Sequence, residues 1–123
     1  MIDTNKQRGN YYIIADHLRT TIFALGDGAT FTPKGRGYIL KKLVKKATLL
    51  GHLLNLNSEE LQKVSEKLIE VNSVYYPHLK EKKKLIINEL KKEIDKFMEF
   101  ISKSLQELDK YYTPEITAID IFF

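Results

Sequence analysis

Between Tyr11 and Tyr112 apolar residues recur every three or four positions along most of the chain, and Pro33 and Pro77 are the only prolines between them. A side chain returns to the same face of an α-helix after ~3.6 residues, so the chain is constrained to pack amphipathic helices. The longest seam comes last: Ile86, Leu90, Ile94, Phe97, Ile101, Leu105, Leu108 and Tyr112, with steps of four, four, three, four, four, three and four. The mean step, about 3.7 residues, lies nearer a straight helix than the ~3.5 of a supercoiled pair. The seam is therefore expected to pack against the rest of the chain.

Residues 1–9 are polar and read as loose. Asn10 is a capping residue for a first helix whose Tyr11, Ile14, Ala15, Leu18, Ile22 and Leu25 share a face, and Gly26 and Gly28 stop it. Asp27–Gly37, with Pro33, reads as a loop. A second helix runs from about Arg36 to Asn55. Leu40, Leu43, Val44, Ala47, Leu50, Gly51 and Leu54 fall on one side of it, and Lys41, Lys42, Lys45 and Lys46 on the other. Asn57 or Ser58 caps a third helix, with Glu59 and Glu60 facing the positive end of its dipole and Leu61, Val64, Leu68, Val71 and Tyr75 as the buried stripe. Pro77 breaks it and opens a fourth helix from about His78 to Tyr112, ~50 Å long if unbroken. Pro114 ends that helix and leaves the apolar tail EITAIDIFF. The expectation is one all-α domain over residues 1–123: a four-helix antiparallel bundle with one long C-terminal helix and a short apolar tail.

With 123 residues and 43% hydrophobic content, a core can form without staples. There is no cysteine, which excludes disulfides, thiolate zinc sites, iron–sulfur clusters and thiol nucleophiles. No apolar run approaches a membrane span, and MIDTNKQRGN lacks a signal-peptide core, so a cytoplasmic location and no membrane partner are expected. A stop on Ile121, Phe122 and Phe123 reads as a boundary cut within a longer protein.

Charge is unevenly distributed. Residues 1–58 hold nine basic side chains against three acids, residues 59–123 eleven against thirteen, and no acid occurs between Asp27 and Glu59. A positive half beside a near-neutral half suits a domain that meets a polyanion on one side, although a solvated lysine-rich face reads equally well from charge alone. Four like charges at i and i+4 cost helix stability, and a bound polyanion would relieve that repulsion. Lysine outnumbers arginine 17 to 3, which favours phosphate contact over bidentate base reading.

No catalytic constellation stands out. The nucleophile-elbow, P-loop and zincin patterns are absent, and His17, His52 and His78 sit on separate segments without metal-ligand spacing, so no catalytic and no metal residue is assigned. Gly35-Arg36-Gly37 lies just before a helix whose first N–H groups can hold a phosphate, and Arg36 beside Tyr38 sets a guanidinium next to an aromatic ring. Asp16 and Arg19, three apart on one helix, read as an ion pair.

The ordered elements are more specific. Ile14-Ala15-Asp16-His17-Leu18-Arg19-Thr20, Phe23-Ala24, Gly26-Asp27-Gly28 and Gly35-Arg36-Gly37-Tyr38-Ile39-Leu40-Lys41-Lys42 together resemble alanyl-tRNA synthetase. In that family an ADHxR segment and an ADG turn lead into a GRGYVLRRILRRA helix. More faintly, Tyr76-Pro77-His78-Leu79 is similar to its YPEL, and Glu93, Phe97, Ile101 and Leu105 to its E…F…TL…GL. The resemblance covers roughly residues 11–108, and residues 14–47 carry most of it.

It implies the helical tRNA-recognition domain that follows the class II aminoacylation core, with the tRNA(Ala) acceptor stem and the remaining synthetase domains as partners. Alanine, ATP and magnesium sites would precede this segment and the editing domain with its zinc would follow, so no cofactor is expected here. Lys34, Lys41, Lys42, Lys45 and Lys46 are then expected on phosphates and Arg36 on the groove or the fold. Asp16, His17, Arg19, Gly35, Gly37 and Tyr38 are expected to support the structure. The chain also departs from the pattern. Where the family carries an asparagine that helps to read the third acceptor pair, G·U, this sequence has Pro33, and the neighbouring acid is Lys34. The partner aspartate belongs to a LYDTYGFP motif that would begin after Phe123. The alternative reading is a helical structural or dimerisation module with no RNA binding of its own; a monomer is expected.

Overall fold

The computed structural model describes residues 4–108, with side chains from residue 8 onward. Within that range every regular element is helical: α1 (Thr4–Gly26), α2 (Arg36–Leu53), α3 (Ser58–Asn72), α4 (His78–Glu81) and α5 (Lys83–Leu108). Five helices stand where four were expected, because Lys82 separates a single turn, α4, from the long α5. α1 also starts at Thr4, inside the segment read as loose, and α3 ends at Asn72, five residues before Pro77. The expected tail and the last turn to Tyr112 lie outside the described residues.

Local chemistry fixes the ends. Ala29 N–H donates to Ala24 O at 2.9 Å and Gly28 N–H to Leu25 O at 3.1 Å, a Schellman closure of α1 with Gly28 at φ 98°. Leu56 N–H to Gly51 O (2.7 Å) and Asn55 N–H to His52 O (3.0 Å) close α2 in the same way, with Asn55 at φ 63°. Asn57, rather than Ser58, caps α3. Its side chain accepts from Glu60 N–H at 2.8 Å, and Glu60 Oε1 accepts from Asn57 N–H at 3.2 Å.

The core joins Ile14, Leu18, Ile22 and Leu25 of α1 to Val44, Ala47 and Leu50 of α2, Leu61 and Ile69 of α3, Leu79 of α4, and Ile86, Leu90 and Ile94 of α5. α1 packs on α2 and α3, and α5 packs on α2 and α3. A smaller cluster of Leu49, Phe97 and Ile101 continues down the α2–α5 contact. The α5 seam is thus buried against its own chain through Ile101. Three expected core positions are corrected. Tyr11 is exposed, and α3 buries Leu61, Ser65 and Ile69 while Val71 and Tyr75 stand in solvent. Ser65 fits there because its hydroxyl donates to Leu61 O at 3.0 Å.

Candidate nucleic-acid interface

The loop between α1 and α2 is held by two glycines with different reasons to be glycine. Gly35, the residue before α2, has φ 71° and ψ −146°, a conformation that side chains disfavour. Gly37 lies against the loop itself: a Cβ there would sit 2.7 Å from Thr32 N and closer still to Thr30 O and Thr32 Oγ1. Thr32 Oγ1 in turn donates to Lys34 O at 2.8 Å. The result presents Pro33, Lys34, Gly35 and Arg36 to solvent at the start of a helix that has neither a side-chain cap nor an acid in its first turn.

The other end of the loop is clamped from below. Gly26 admits Leu79, whose Cδ2 would lie 2.7 Å from an added Cβ. Phe23 and Tyr76 meet edge to face at 4.9 Å, and His78 Nε2 lies 3.5 Å from Asp27 Oδ1. Lys82 Nζ donates to Gly26 O at 3.0 Å, placing a cation on the negative end of α1. The Gly26-Asp27-Gly28 and Tyr76-Pro77-His78-Leu79 segments therefore come together.

The lysines of α2 do not form one outward strip. Lys42 and Lys46 are exposed, and Lys42 Nζ sits 5.1 Å from the centroid of the Tyr38 ring. Lys41 and Lys45 are half-buried and turn toward α5. Lys41 Nζ approaches Glu93 Oε1 at 4.0 Å, and Lys45 Nζ lies 5.8 Å from the Phe97 ring. They edge an open groove of ~370 Å³ with Lys96 and Lys103. A helix that buries nearly half its circumference leaves room for two outward lysines, not four. Asp16 and Arg19 approach at 3.5 Å on α1, as their spacing suggests, and His17 Nδ1 lies 3.6 Å from Asp16. Lys34, Arg36 and Lys46 make no ion pair among the described residues.

A family model described as tRNA synthetases class II (A) matches residues 2–119. The chain belongs to that family. Among class II (A) tRNA synthetases it is 35% identical over 113 residues to the alanine–tRNA ligase of Malacoplasma penetrans, covering 91% of this chain and 12% of that protein. It is 34% identical over 110 residues to the alanine–tRNA ligase of Mycoplasma capricolum, covering 89% and 12%. With the alanine–tRNA ligase of Staphylococcus aureus strain JH9 the figures are 34% over 124 residues, 96% and 14%. The resemblance read from the motifs is thereby borne out, and the chain spans about an eighth of the length of these curated relatives.

Sequence reasoning passed over Lys80, Lys83 and Lys84, exposed where α4 meets α5. Their signal, four lysines within residues 80–84, disappears into the near-neutral balance of the C-terminal half.

Proposed function

We propose that this chain is the part of an alanyl-tRNA synthetase that docks the acceptor stem of tRNA(Ala), working as one helical unit in the cytoplasm. The observation that carries the reading is the exposed Lys34-Gly35-Arg36 loop, braced by the Gly37 contact and continued by the outward Lys42 and Lys46. These side chains meet the stem's phosphates, and the loop approaches the wide, shallow minor groove of A-form RNA. Lys41 serves mainly to tie α2 to α5, and Lys45 packs on Phe97. The ligation of alanine with ATP and magnesium, and any zinc-dependent editing, belong to other parts of the longer protein.

Pro33 has no side-chain donor, so discrimination of the G·U pair comes from outside these residues. Fluorescence anisotropy with an acceptor-stem hairpin, and with a variant carrying G·C at the third pair, tests the reading. Binding that falls steeply with salt and is equal for both hairpins is the expected result. Absence of binding to either overturns the proposal, and a preference for G·U overturns the assignment of specificity elsewhere. Sedimentation equilibrium with and without hairpin reports whether the expected monomer carries the binding.

A further inference from the structure

The loop and the lysines at the α4–α5 junction lie at one end of the molecule. α1 ends at Gly26 against Leu79, Lys82 bonds to Gly26 O, and the loop returns the chain there to begin α2 at Arg36. α3 also ends at this level, since Ile69, Ser73 and Val74 border the same cleft as Lys80 and Lys83. Lys34, Arg36, Lys80, Lys82, Lys83 and Lys84 are thus gathered from two stretches far apart in sequence. The acids nearby are Asp27, which faces His78 at 3.5 Å, Glu70, which faces Lys67 at 3.7 Å, and Glu81.

This arrangement does not serve the fold. α5 has no acid in its first turn and instead opens on Lys83 and Lys84, where cations oppose the helix dipole and repel one another. Lys82 has a structural partner in Gly26 O, but the ammonium groups of Lys80, Lys83 and Lys84 make no ion pair or hydrogen bond among the described residues. Like charges held together without compensation are stabilised by a polyanion that lies across them.

We propose that Lys80, Lys83 and Lys84 form a second RNA-contacting arm, which holds the phosphodiester backbone on the far side of the Lys34–Arg36 loop. The inference rests on the proposed acceptor-stem docking and extends its footprint across the whole end of the bundle. The arm is electrostatic and reads no sequence, because lysine offers a point charge and no planar fork.

The test compares four forms of the full chain, and an arginine rescue, in binding a tRNA(Ala) transcript over a salt series. They are the unaltered protein, a triple variant (Lys80→Ala, Lys83→Ala, Lys84→Ala), a loop and α2 variant (Lys34→Ala, Arg36→Ala, Lys42→Ala, Lys46→Ala), and a charge-matched control (Lys63→Ala, Lys67→Ala, Lys103→Ala). Circular dichroism melts confirm that each folds, and replacement of the same three lysines by arginine supplies a folded, charge-retaining rescue. The triple variant is expected to bind about tenfold more weakly and to lower the salt slope by about three, with the control near wild type and the arginine form restored. Equal behaviour of the triple variant and the control overturns the second arm while leaving acceptor-stem docking intact. Loss of binding in the triple variant alone, with the loop and α2 variant unaffected, overturns the docking assignment and with it the placing of Lys80, Lys83 and Lys84 as a second arm. An unaltered chain that binds no tRNA overturns both. An acidic protein partner is indicated if charge on the triple changes no RNA affinity, and that result too removes the proposal.

Discussion

The ammonium of Lys82 donates to the carbonyl of Gly26 at 3.0 Å, across 56 residues of sequence. The bond satisfies a carbonyl in the last turn of α1 and sets a cation against the negative end of that helix. Lys82 is also the residue at which α4 separates from α5, with φ −97° and ψ 11° and neither proline nor glycine there. Lys82→Met keeps the aliphatic stem and removes the charge. It is expected to cost about 1 kcal/mol, or about 4 °C in melting temperature, read by thermal circular dichroism.

Two glycines make opposite predictions. At Gly37 an added methyl meets the backbone of Thr30 and Thr32, which have no free end to move aside. Gly37→Ala is expected to destabilise by about 3 kcal/mol and to abolish hairpin binding through loss of the loop. At Gly9, in α1, nothing lies within 4 Å of the added atom and the backbone is helical. Gly9→Ala is expected to stabilise by about 0.5–1 kcal/mol, because alanine loses less chain entropy in a helix. Urea unfolding of both variants checks the sign of each.

Thr48 is fully buried in α2, and its Oγ1 has no hydrogen-bond partner. Thr21, equally buried in α1, donates its hydroxyl to His17 O at 2.9 Å. The same substitution should therefore act in opposite directions. Thr48→Val removes an unsatisfied polar atom at nearly constant volume and is expected to add about 1 kcal/mol of stability. Thr21→Val breaks a made bond and is expected to lose about 0.5–1 kcal/mol. Paired denaturant midpoints distinguish the two.

Sequence and structure agree wherever the deciding interaction is local. Of the two cap residues the sequence offers for α3, Asn57 serves, with Glu60 three residues on closing the box, and Gly28 ends α1 because the chain must turn left-handed there. The core face of α2 follows from periodicity, since Leu40, Val44, Ala47, Leu50 and Gly51 are all buried. Agreement fails where long-range contacts decide. Thr4–Asn10 has no apolar period, yet a helix already formed propagates into such a segment at little cost. α3 turns a polar Ser65 inward, which hydropathy alone ranks as outward. The division of the α2 lysines depends on where α5 lies, and the clustering of Lys80–Lys84 with Arg36 depends on which helix ends coincide. Neither is written in any window of the sequence.

The neighbours Lys41 and Lys42 give the sharpest test of that division. Lys41 approaches Glu93 at 4.0 Å with side chains 23% and 17% exposed, so its charge is partly spent within the protein. Lys42 is exposed and lies over the Tyr38 ring beside the loop. Lys42→Ala is expected to weaken hairpin binding for every stem sequence alike, by about three- to tenfold at ~0.1 M salt, and to reduce the salt slope by about one. Its effect on stability should stay within about 0.5 kcal/mol, as for most surface changes. Lys41→Ala should show the reverse pattern, a smaller binding change and a measurable loss of stability. A double-mutant cycle with Glu93→Gln should give a coupling of about 0.5 kcal/mol, modest because the pair is long and solvent screens it in part. If Lys41→Ala lowers the salt slope as much as Lys42→Ala, both lysines reach the RNA, and the half-buried side chain must leave Glu93 when RNA binds.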